Sequence, residues 1–334
     1  MAEKKSPFWK NRRVLVTGGA GFIGSWLVKA LTKRGAIVTV FDLKTGSPVL
    51  DSLLAKPLFV KADVRDLNAV TKAINAYQPD TLFHLAAQAV VGLANKDPLL
   101  TLETNIMGTY NVLEAGRRLG GLSRLIFMSS DKAYGSQKKL PYTENMPLLG
   151  QNPYDASKSC ADRLCQQYFR VFRLPISIVR SANVFGGGDL HFSRLAPSVI
   201  RACLKNQNPL IRSDGKFLRD YVYVDDVVNG FIALAEAMPK RGIVGEAVNL
   251  GTARPRSVLE VTNTILRLMG KGNLKPIILN KAVGEIRNQY LSGAKAKKLL
   301  GWKPATLFED GIKETINWYR DNIGNIPARN KTDE

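Results

Sequence analysis

Short apolar runs alternate with amphipathic segments through the first half of the chain. The runs RVLVTG, IVTVFD, PLFVKAD, DTLFHLAA, SRLIFMSS and ISIVRSA are rich in β-branched and aromatic residues, as is typical of buried strands. Between them, segments such as FIGSWLVKALTKRG repeat apolar residues every three or four positions, and this one stops at Gly35. The alternation predicts an α/β fold with helices on both faces of a parallel, doubly wound sheet.

The strand–helix rhythm breaks after Ala182. The stretch NVFGGGDLHF indicates a loop, RDYVYV and EAVNLG indicate strands, and segments such as LAPSVIRACLKN and DDVVNGFIALAEAM indicate helices. We therefore predict a second, smaller α/β domain built from the C-terminal part of the chain. The predicted boundaries are 1–184 with about 225–250 for the first domain, 185–224 and 251–325 for the second, and 326–334 for a frayed polar tail.

Composition narrows the class of protein. The chain has 334 residues, 45% of them hydrophobic and 23% charged, which is enough for a sizeable core. Its formal charge of +20 is scattered without interleaved aromatic residues, so we do not expect nucleic-acid binding. No apolar run is long enough to span a bilayer, so no membrane partner is expected.

The cysteines and histidines form no metal-binding pattern. Cys160, Cys165 and Cys203 contain no CxxC pair, and the two histidines, His84 and His191, are not spaced as further ligands. We predict no metal site and a protein of the reducing cytoplasm. His84 ends an apolar run, and we interpret it as a packed, hydrogen-bonded residue rather than a catalyst.

A glycine motif lies at the first strand-to-helix junction. TGGAGFIG places Gly18, Gly21 and Gly24 there, with Phe22 and Ile23 between the last two. Glycines allow the backbone to approach a pyrophosphate, which also meets the helix N-terminus. The spacing is GxxGxxG rather than the common GxGxxG, but its position after the first strand predicts a Rossmann-type site for NAD.

Two aspartates end the next two strands. Asp42 can accept hydrogen bonds from the adenosine ribose, and it favours NAD over NADP, although Lys44 is close enough to weaken that preference. Asp63 is placed to meet the adenine edge. A turn residue is the competing interpretation of Asp63.

A Y-x-x-x-K motif begins the helix that follows the fifth strand. Tyr154 and Lys158 are four residues apart and share one face, so the ammonium is expected to lower the pKa of the phenol. Such a phenol can accept a proton from a sugar hydroxyl while hydride leaves for nicotinamide. Ser130, at the end of the fifth strand, can hydrogen-bond the same hydroxyl.

The chain resembles the extended short-chain dehydrogenases/reductases that act on nucleotide sugars. The landmarks TGGAGFIGS, FHLAAQ, TNIMGTYNVLEA, SSDKAYG, PYDASK and RDYVYVDDV occur in that family's order along nearly the whole chain. The resemblance implies tightly bound NAD, transient oxidation at sugar C4 and a C-terminal domain that holds the nucleotide. It also implies cofactor contacts from Val64, Leu85, Ala86, Ala87 and Asn105.

The stretch SSDKAYG is most similar to the CDP-glucose 4,6-dehydratase branch of this family, in which an acid and a lysine follow the catalytic serine. A protonated Asp131 can deliver a proton to the departing O6, because burial raises a carboxyl pKa. Lys132 can take the C5 proton if it is neutral, or stabilise the enolate if it stays charged. The competing interpretation is an exposed Asp131–Lys132 ion pair that contributes little.

The resemblance also indicates how the substrate is held. Arg219 and Arg287 resemble the family's diphosphate-binding arginines, Asn183 its amide near the diphosphate, and Arg194 is a weaker candidate. The family typically forms homodimers through a four-helix bundle, here from the NIMGTYNVLEAG and PYDASKSCADRL helices.

Three functions fit these residues. A nucleotide-sugar 4,6-dehydratase uses all of them, whereas a 4-epimerase of the UDP-hexose type has no use for the acid and lysine of SSDKAYG. A non-catalytic NAD-binding protein of the same fold is disfavoured, because such proteins commonly lose a member of the Ser–Tyr–Lys set.

Overall fold

The computed structural model describes residues 7–322 and 324, except 239, 241 and 283. The predicted tail, 326–334, lies outside the described residues. The strands of the described residues are β1 (Arg13–Thr17), β2 (Ile37–Asp42), β3 (Leu58–Lys61), β4 (Thr81–His84), β5 (Arg124–Ser130), β6 (Ile176–Ser181), β7 (Asn183–Phe185), β8 (Leu210–Ile211), β9 (Leu218–Arg219), β10 (Tyr221–Tyr223), β11 (Ala247–Leu250), β12 (Arg256–Ser257), β13 (Ile277–Ile278) and β14 (Asn288–Gln289).

The α-helices of the described residues range from four to 20 residues in length. They are α1 (Phe22–Lys33), α2 (Pro48–Asp51), α3 (Leu67–Tyr77), α4 (Val91–Lys96), α5 (Pro98–Leu102), α6 (Gly108–Leu119), α7 (Pro153–Phe172), α8 (Leu195–Leu204), α9 (Val224–Ala237), α10 (Val258–Leu268), α11 (Ala294–Leu300) and α12 (Phe308–Asp321). Within the described part of the chain, no helix has both the length and the apolar character needed to cross a bilayer.

A seven-stranded parallel sheet confirms the predicted fold class. Its strand order is β11-β6-β5-β4-β1-β2-β3, and every neighbouring pair is parallel. The central strands β4 and β6 are buried along their whole length, because helices cover both faces. The order reverses between β1 and β4, and ligands bind at such a switch point, beyond the carboxyl ends of the strands.

The last strand of this sheet comes from late in the sequence. β11 pairs with β6, so the chain returns to the first sheet after β7–β10 have formed smaller sheets elsewhere. This strand lies in the segment about 225–250 that the sequence assigns to the first domain. The division into two domains itself stays a prediction.

Three local expectations differ from the structure. The sequence PLLTLETNIMGTYNVLEAGRRLG predicts one long helix, but the structure has a π-helical turn at Glu103–Met107 between α5 and α6. The stretch expected to be a loop after Ala182 contains β7. RDYVYV forms two strands, β9 and β10, instead of one. The Asp220 carboxylate between them accepts hydrogen bonds from the backbone N–H groups of residues 252, 253 and 291, and the two strands pair with different partners.

A buried ion pair ties the main sheet to α7. The Arg180 guanidinium, on β6, donates to both carboxylate oxygens of Asp162, on α7, at 2.9 Å each. The two side chains are 3% and 0% exposed. Because neither charge can be hydrated when its partner is lost, the pair must stay intact for the fold to remain stable.

Replacing Asp162 by Asn should lower the free energy of unfolding by about 3–5 kcal/mol, because it leaves the Arg180 charge buried and uncompensated. Urea denaturation followed by circular dichroism measures the change. Glu309→Gln is the matched control: it breaks the exposed pair with Arg267, whose side chains are 58% and 50% exposed, and should cost less than about 1 kcal/mol. Equal effects of the two variants would contradict the assigned role.

Candidate active site

A cavity of about 590 Å³ lies beyond the carboxyl ends of the sheet strands. It extends from the glycine turn after β1 to the strands β8 and β9. All five residues predicted to be catalytic line it: Ser130, Asp131, Lys132, Tyr154 and Lys158. The topology therefore brings together side chains that lie up to 28 positions apart in the sequence.

The glycine turn leaves no room for side chains. Gly18 has φ +71°, and a Cβ there would lie 2.6 Å from the backbone nitrogen of Ala86. A Cβ on Gly24 would lie 2.1 Å from the carbonyl oxygen of Gly18. The helix α1 therefore begins in close contact with the turn, and Gly21, Phe22 and Ile23 line the cavity beside it. This bare backbone at a helix N-terminus fits the pyrophosphate of NAD.

Asp42 is held rigidly at the end of β2. Its Oδ2 accepts from the backbone N–H of Ala20 at 3.0 Å, and its Oδ1 accepts from that of Lys44 at 3.1 Å. Both Asp42 and Lys44 line the cavity. The carboxylate is thus fixed where the fold places the adenosine ribose.

Asp63 is paired with a residue that the sequence analysis missed. The Arg65 guanidinium donates through Nε and Nη2 to Asp63 Oδ2 at 2.9 and 2.7 Å. These hydrogen bonds hold the pKa of Asp63 below its ordinary value, so the carboxylate stays ionised. Arg65 also pairs with Glu103 at 3.2 Å. The i, i+2 spacing in ADVRD was the available signal.

The remaining predicted cofactor residues divide into two groups. Val64, Leu85, Ala86 and Ala87 line the cavity. Asn105 does not line it and is 2% exposed. Its side chain instead accepts from the backbone N–H of Gln88 at 2.8 Å and donates to the carbonyl of Gln88 at 3.0 Å. Asn105 therefore supports the cavity wall from behind, because its side-chain amide is hydrogen-bonded to the backbone of Gln88.

The phenol of Tyr154 behaves differently from the sequence expectation. Burial raises its pKa to about 12, against the opposing effect of a hydrogen bond with Ser130. Lys158 was expected to lower this pKa, but its Nζ donates to the carbonyl of Met128 at 3.0 Å. Burial also lowers the pKa of Lys158 to about 8. In the protein alone, desolvation therefore outweighs the attraction expected between the two groups.

Ser130 organises the turn that follows β5. Its Oγ accepts from the backbone N–H of Lys132 at 3.2 Å and donates to Asp131 Oδ1 at 3.1 Å. Ser130 thus caps a 3₁₀ turn, Asp131–Tyr134. The turn ends at Gly135, where φ is +65° and a Cβ would lie 2.2 Å from the carbonyl oxygen of Leu149. Only glycine fits there.

Asp131 is a buried acid rather than half of an exposed ion pair. It is 3% exposed, and its Oδ2 is buried without a hydrogen-bond partner among the described residues. Burial raises its pKa to about 6, and the nearby charge of Lys132 opposes that rise. The exposed-ion-pair interpretation is therefore wrong for Asp131, which is instead a buried, cavity-lining carboxyl with a raised pKa.

Three of the four predicted substrate residues line the cavity: Asn183, Arg194 and Arg219. The Arg194 guanidinium pairs with Asp189 at 2.9 Å. Arg287 is not part of the lining: its guanidinium pairs with Asp214 at 3.1 Å, and its side chain is 62% exposed. Its backbone carbonyl nevertheless accepts from Arg219 Nη1 at 3.0 Å, so it supports that arginine from behind.

The cavity also has acids that the sequence analysis did not select. Glu285 accepts from Arg219 Nη2 at 3.4 Å and lines the cavity, as does Asp189. Asp155, next to Tyr154, does not line the cavity; it is 2% exposed, and burial raises its pKa. Glu285 could have been found from its position two residues before Arg287, a predicted phosphate ligand. The burial of Asp155 has no local signature in the sequence. No cluster of three or more potential metal ligands occurs in the described ranges.

A family model described as the NAD dependent epimerase/dehydratase family matches residues 14–251. The chain belongs to this family. A CDP-glucose 4,6-dehydratase from Salmonella typhimurium is 30% identical over 330 residues, covering 94% of this chain and 92% of the relative. A putative UDP-glucose 4-epimerase from Methanocaldococcus jannaschii is 34% identical, covering 92% and 99%. The structure of a dTDP-glucose 4,6-dehydratase from Streptomyces venezuelae, with NAD bound, matches with a TM-score of 0.85 at 30% identity, covering 93% and 98%.

These similarities confirm the predicted family and its cofactor, NAD. The glycine turn and the fixed carboxylate of Asp42 fit that cofactor. Dehydratases and epimerases occur among the relatives at similar identity. Membership of the family therefore does not separate the two reactions.

Asp131→Asn should make the protein more stable at pH 7.5 and leave its stability unchanged near pH 4. The folded pKa of about 6 exceeds the ordinary value of 3.8, so wild-type stability is lost as the pH rises through about 6. A shift of this size is worth about 3 kcal/mol. Urea unfolding at both pH values measures it. A difference between variant and wild type that does not change with pH would argue against a buried, proton-holding Asp131.

Proposed function

We propose that the chain is an NAD-dependent nucleotide-sugar 4,6-dehydratase, similar to the CDP-glucose 4,6-dehydratases, that produces an NDP-4-keto-6-deoxyhexose. The observation that carries the proposal is Asp131, a buried carboxyl with an unpartnered oxygen at the cavity wall. A 4-epimerase needs no acid there, whereas elimination of water requires a proton for the departing oxygen.

The first step is oxidation at sugar C4. Tyr154 accepts the proton of the C4 hydroxyl, and Ser130 hydrogen-bonds the same oxygen. Bound NAD supplies the hydride acceptor. A phenol with a pKa near 12 is almost entirely protonated at neutral pH, and only the phenolate can accept a proton. Tyr154 therefore needs a cation close by that lowers its pKa. Lys158, on the same helix face, is that cation once its ammonium turns from Met128 towards the phenol.

The second step is loss of water across C5–C6. The 4-ketone acidifies the C5 proton, and protonated Asp131 gives its proton to O6 as the C6–O6 bond breaks. Lys132 lines the cavity next to Asp131, either as the base for the C5 proton or as a cation that stabilises the enolate. C6 then takes back the hydride and C5 a proton, so one water is lost without net reduction of cofactor.

The nucleotide diphosphate is assigned to the arginine-lined end of the cavity. We propose Arg219, Arg194 and Asn183 as its ligands. Arg219 is 7% exposed and is held by two backbone carbonyls at 2.9 and 3.0 Å, so its guanidinium is well oriented for phosphate. Arg287 contributes through its carbonyl rather than its charge.

The second candidate is a nucleotide-sugar 4-epimerase. It is favoured by the epimerase relative at 34% identity and uses the same Tyr154, Lys158 and Ser130. A non-catalytic NAD-binding protein is less well supported, because all three of those residues line the cavity.

The deciding experiment is incubation of the purified protein with NAD and CDP-, dTDP-, UDP- and GDP-hexoses, with products read by mass spectrometry and NMR. A product lighter by one water, without net NADH, supports the dehydratase, and the best nucleotide identifies the branch. An isomer of unchanged mass would establish the epimerase instead.

Asp131→Asn should lower the rate of water loss by at least about 100-fold, in line with the contribution of a general acid, while C4 oxidation still gives a transient NADH signal at 340 nm. Asp155→Asn is the control, since Asp155 is also buried but does not line the cavity, and it should keep water loss within about tenfold of wild type. Full water loss in Asp131→Asn would refute the acid role.

We propose that the chain forms a homodimer through a four-helix bundle of α5–α6 and α7. Exposed apolar residues on α5–α6 support this: Leu99, Leu102, Met107 and Tyr110 are 37–66% exposed. Leu102→Glu should shift the mass in sedimentation velocity from twice 36.8 kDa to 36.8 kDa. Leu54→Glu, at an exposed leucine on another segment, should not change it. A monomeric wild type would refute the dimer.

A further inference from the structure

His84 is completely buried and hydrogen-bonded at both ring nitrogens. Its Nδ1 lies 2.7 Å from Thr17 Oγ1, and its Nε2 lies 3.0 Å from Thr109 Oγ1. Thr17 is the last residue of β1, immediately before Gly18 of the cofactor turn. Thr109 lies in the first turn of α6. The imidazole therefore links the strand that carries the cofactor turn to a helix on the sheet face.

The direction of these hydrogen bonds follows from the number of hydrogens. The Thr109 hydroxyl has one hydrogen, and it donates it to the carbonyl of Asn105 at 2.6 Å. It must therefore accept from His84 Nε2–H, which leaves Nδ1 as the acceptor for the Thr17 hydroxyl. Both bonds thus select one neutral tautomer of His84. Burial, assisted by the charge of Lys158, also lowers the pKa of His84 to about 3.

The chain of hydrogen bonds continues to the catalytic helix. Asn105 Nδ2 donates to Ser157 Oγ at 2.9 Å, and Ser157 Oγ donates to the carbonyl of Tyr154 at 2.7 Å. Asn105 lies in the π-helical turn Glu103–Met107, and such turns are frequent at functional sites. A continuous path therefore runs from the residue before the cofactor turn to the backbone of Tyr154.

None of the five residues on this path lines the cavity: Thr17, His84, Thr109, Asn105 and Ser157. All are at most 2% exposed. They cannot touch cofactor or substrate, and the steps of the proposed reaction do not use them. Their polar groups are nevertheless hydrogen-bonded inside the core, with the link at Asn105 running covalently from its backbone carbonyl to its side chain. A hydrophobic residue of the same shape would avoid the need for such partners.

We propose that this path, the buried relay, is a positioning device that fixes the cofactor turn and Tyr154 relative to each other. Hydride transfer requires both to be placed within a fraction of an ångström. The relay supplies that placement through directed hydrogen bonds between β1, β4, α6 and α7. The inference rests on the proposed role of Tyr154, but not on whether the sugar is dehydrated or epimerised.

Thr109 allows a test with matched variants. Thr109→Val keeps the shape but removes the hydroxyl, whereas Thr109→Ser keeps the hydroxyl and removes the methyl group. We expect Thr109→Val to speed the exchange of bound NAD for isotopically labelled NAD about tenfold and to lower kcat about tenfold, with an unchanged KM for the sugar. Thr109→Ser should stay within about twofold of wild type in both measurements, because the relay is intact.

A double-mutant cycle separates positioning from simple stability. Thr17→Val should have the same effects as Thr109→Val, and the double variant should be no worse than either, because one break already uncouples the two ends. Additive effects, a Ser variant as impaired as the Val variant, or unchanged NAD exchange in Thr109→Val would each overturn the relay. NAD exchange needs no substrate, so the result stays readable if the wild type proves to be an epimerase.

Discussion

The turn after β5 depends on a charge pair buried behind it. Arg180, held by Asp162, also donates to the Tyr134 hydroxyl at 2.9 Å, and that hydroxyl donates to Asn249 at 2.8 Å. Two strands of the sheet and one helix therefore meet at a single phenol, four residues after Ser130. This fixed point makes it possible to keep Asp131 in an environment that a flexible turn would leave for water. The reactive geometry is thus secured by groups that the substrate never meets.

Burial disfavours the charged form of each of the three titratable groups that the proposed hydride and acid steps use. It raises the pKa of Asp131 to about 6, lowers that of Lys158 to about 8 and raises that of Tyr154 to about 12. For the acid and the lysine, both pKa values move towards neutrality. A small change in local charge when ligands bind can then move a proton, which is the condition that acid–base chemistry needs. The pKa of Tyr154 moves away from neutrality instead, so this residue depends most on the charges that ligands bring near it.

The sheet and most of the site could be predicted because their signals are local. The sequence signal of each of these features occupies fewer than ten consecutive residues, as for strands β1–β6, the glycine turn and the Tyr154–Lys158 spacing. What escaped prediction depends on partners far away in the chain. The division of RDYVYV follows from loops more than 30 positions later, and the pKa of Tyr154 follows from burial by several elements. The exposed position of Arg287 also has no local signature, because its partner, Asp214, lies in the distant connection between β8 and β9.

The late return of β11 has a consequence for synthesis. Until residue 250 has left the ribosome, β6 has no neighbour on one side, although all six of its residues are buried in the finished molecule. Proteins fold largely from the N-terminus as they are made. The nascent chain must therefore carry an apolar, unpaired strand edge while about 70 further residues are added. Completion of the main sheet is thereby delayed until the segment between β6 and β11 has been translated, so a fragment that stops near residue 184 would expose an unpaired strand edge rather than form an independent unit.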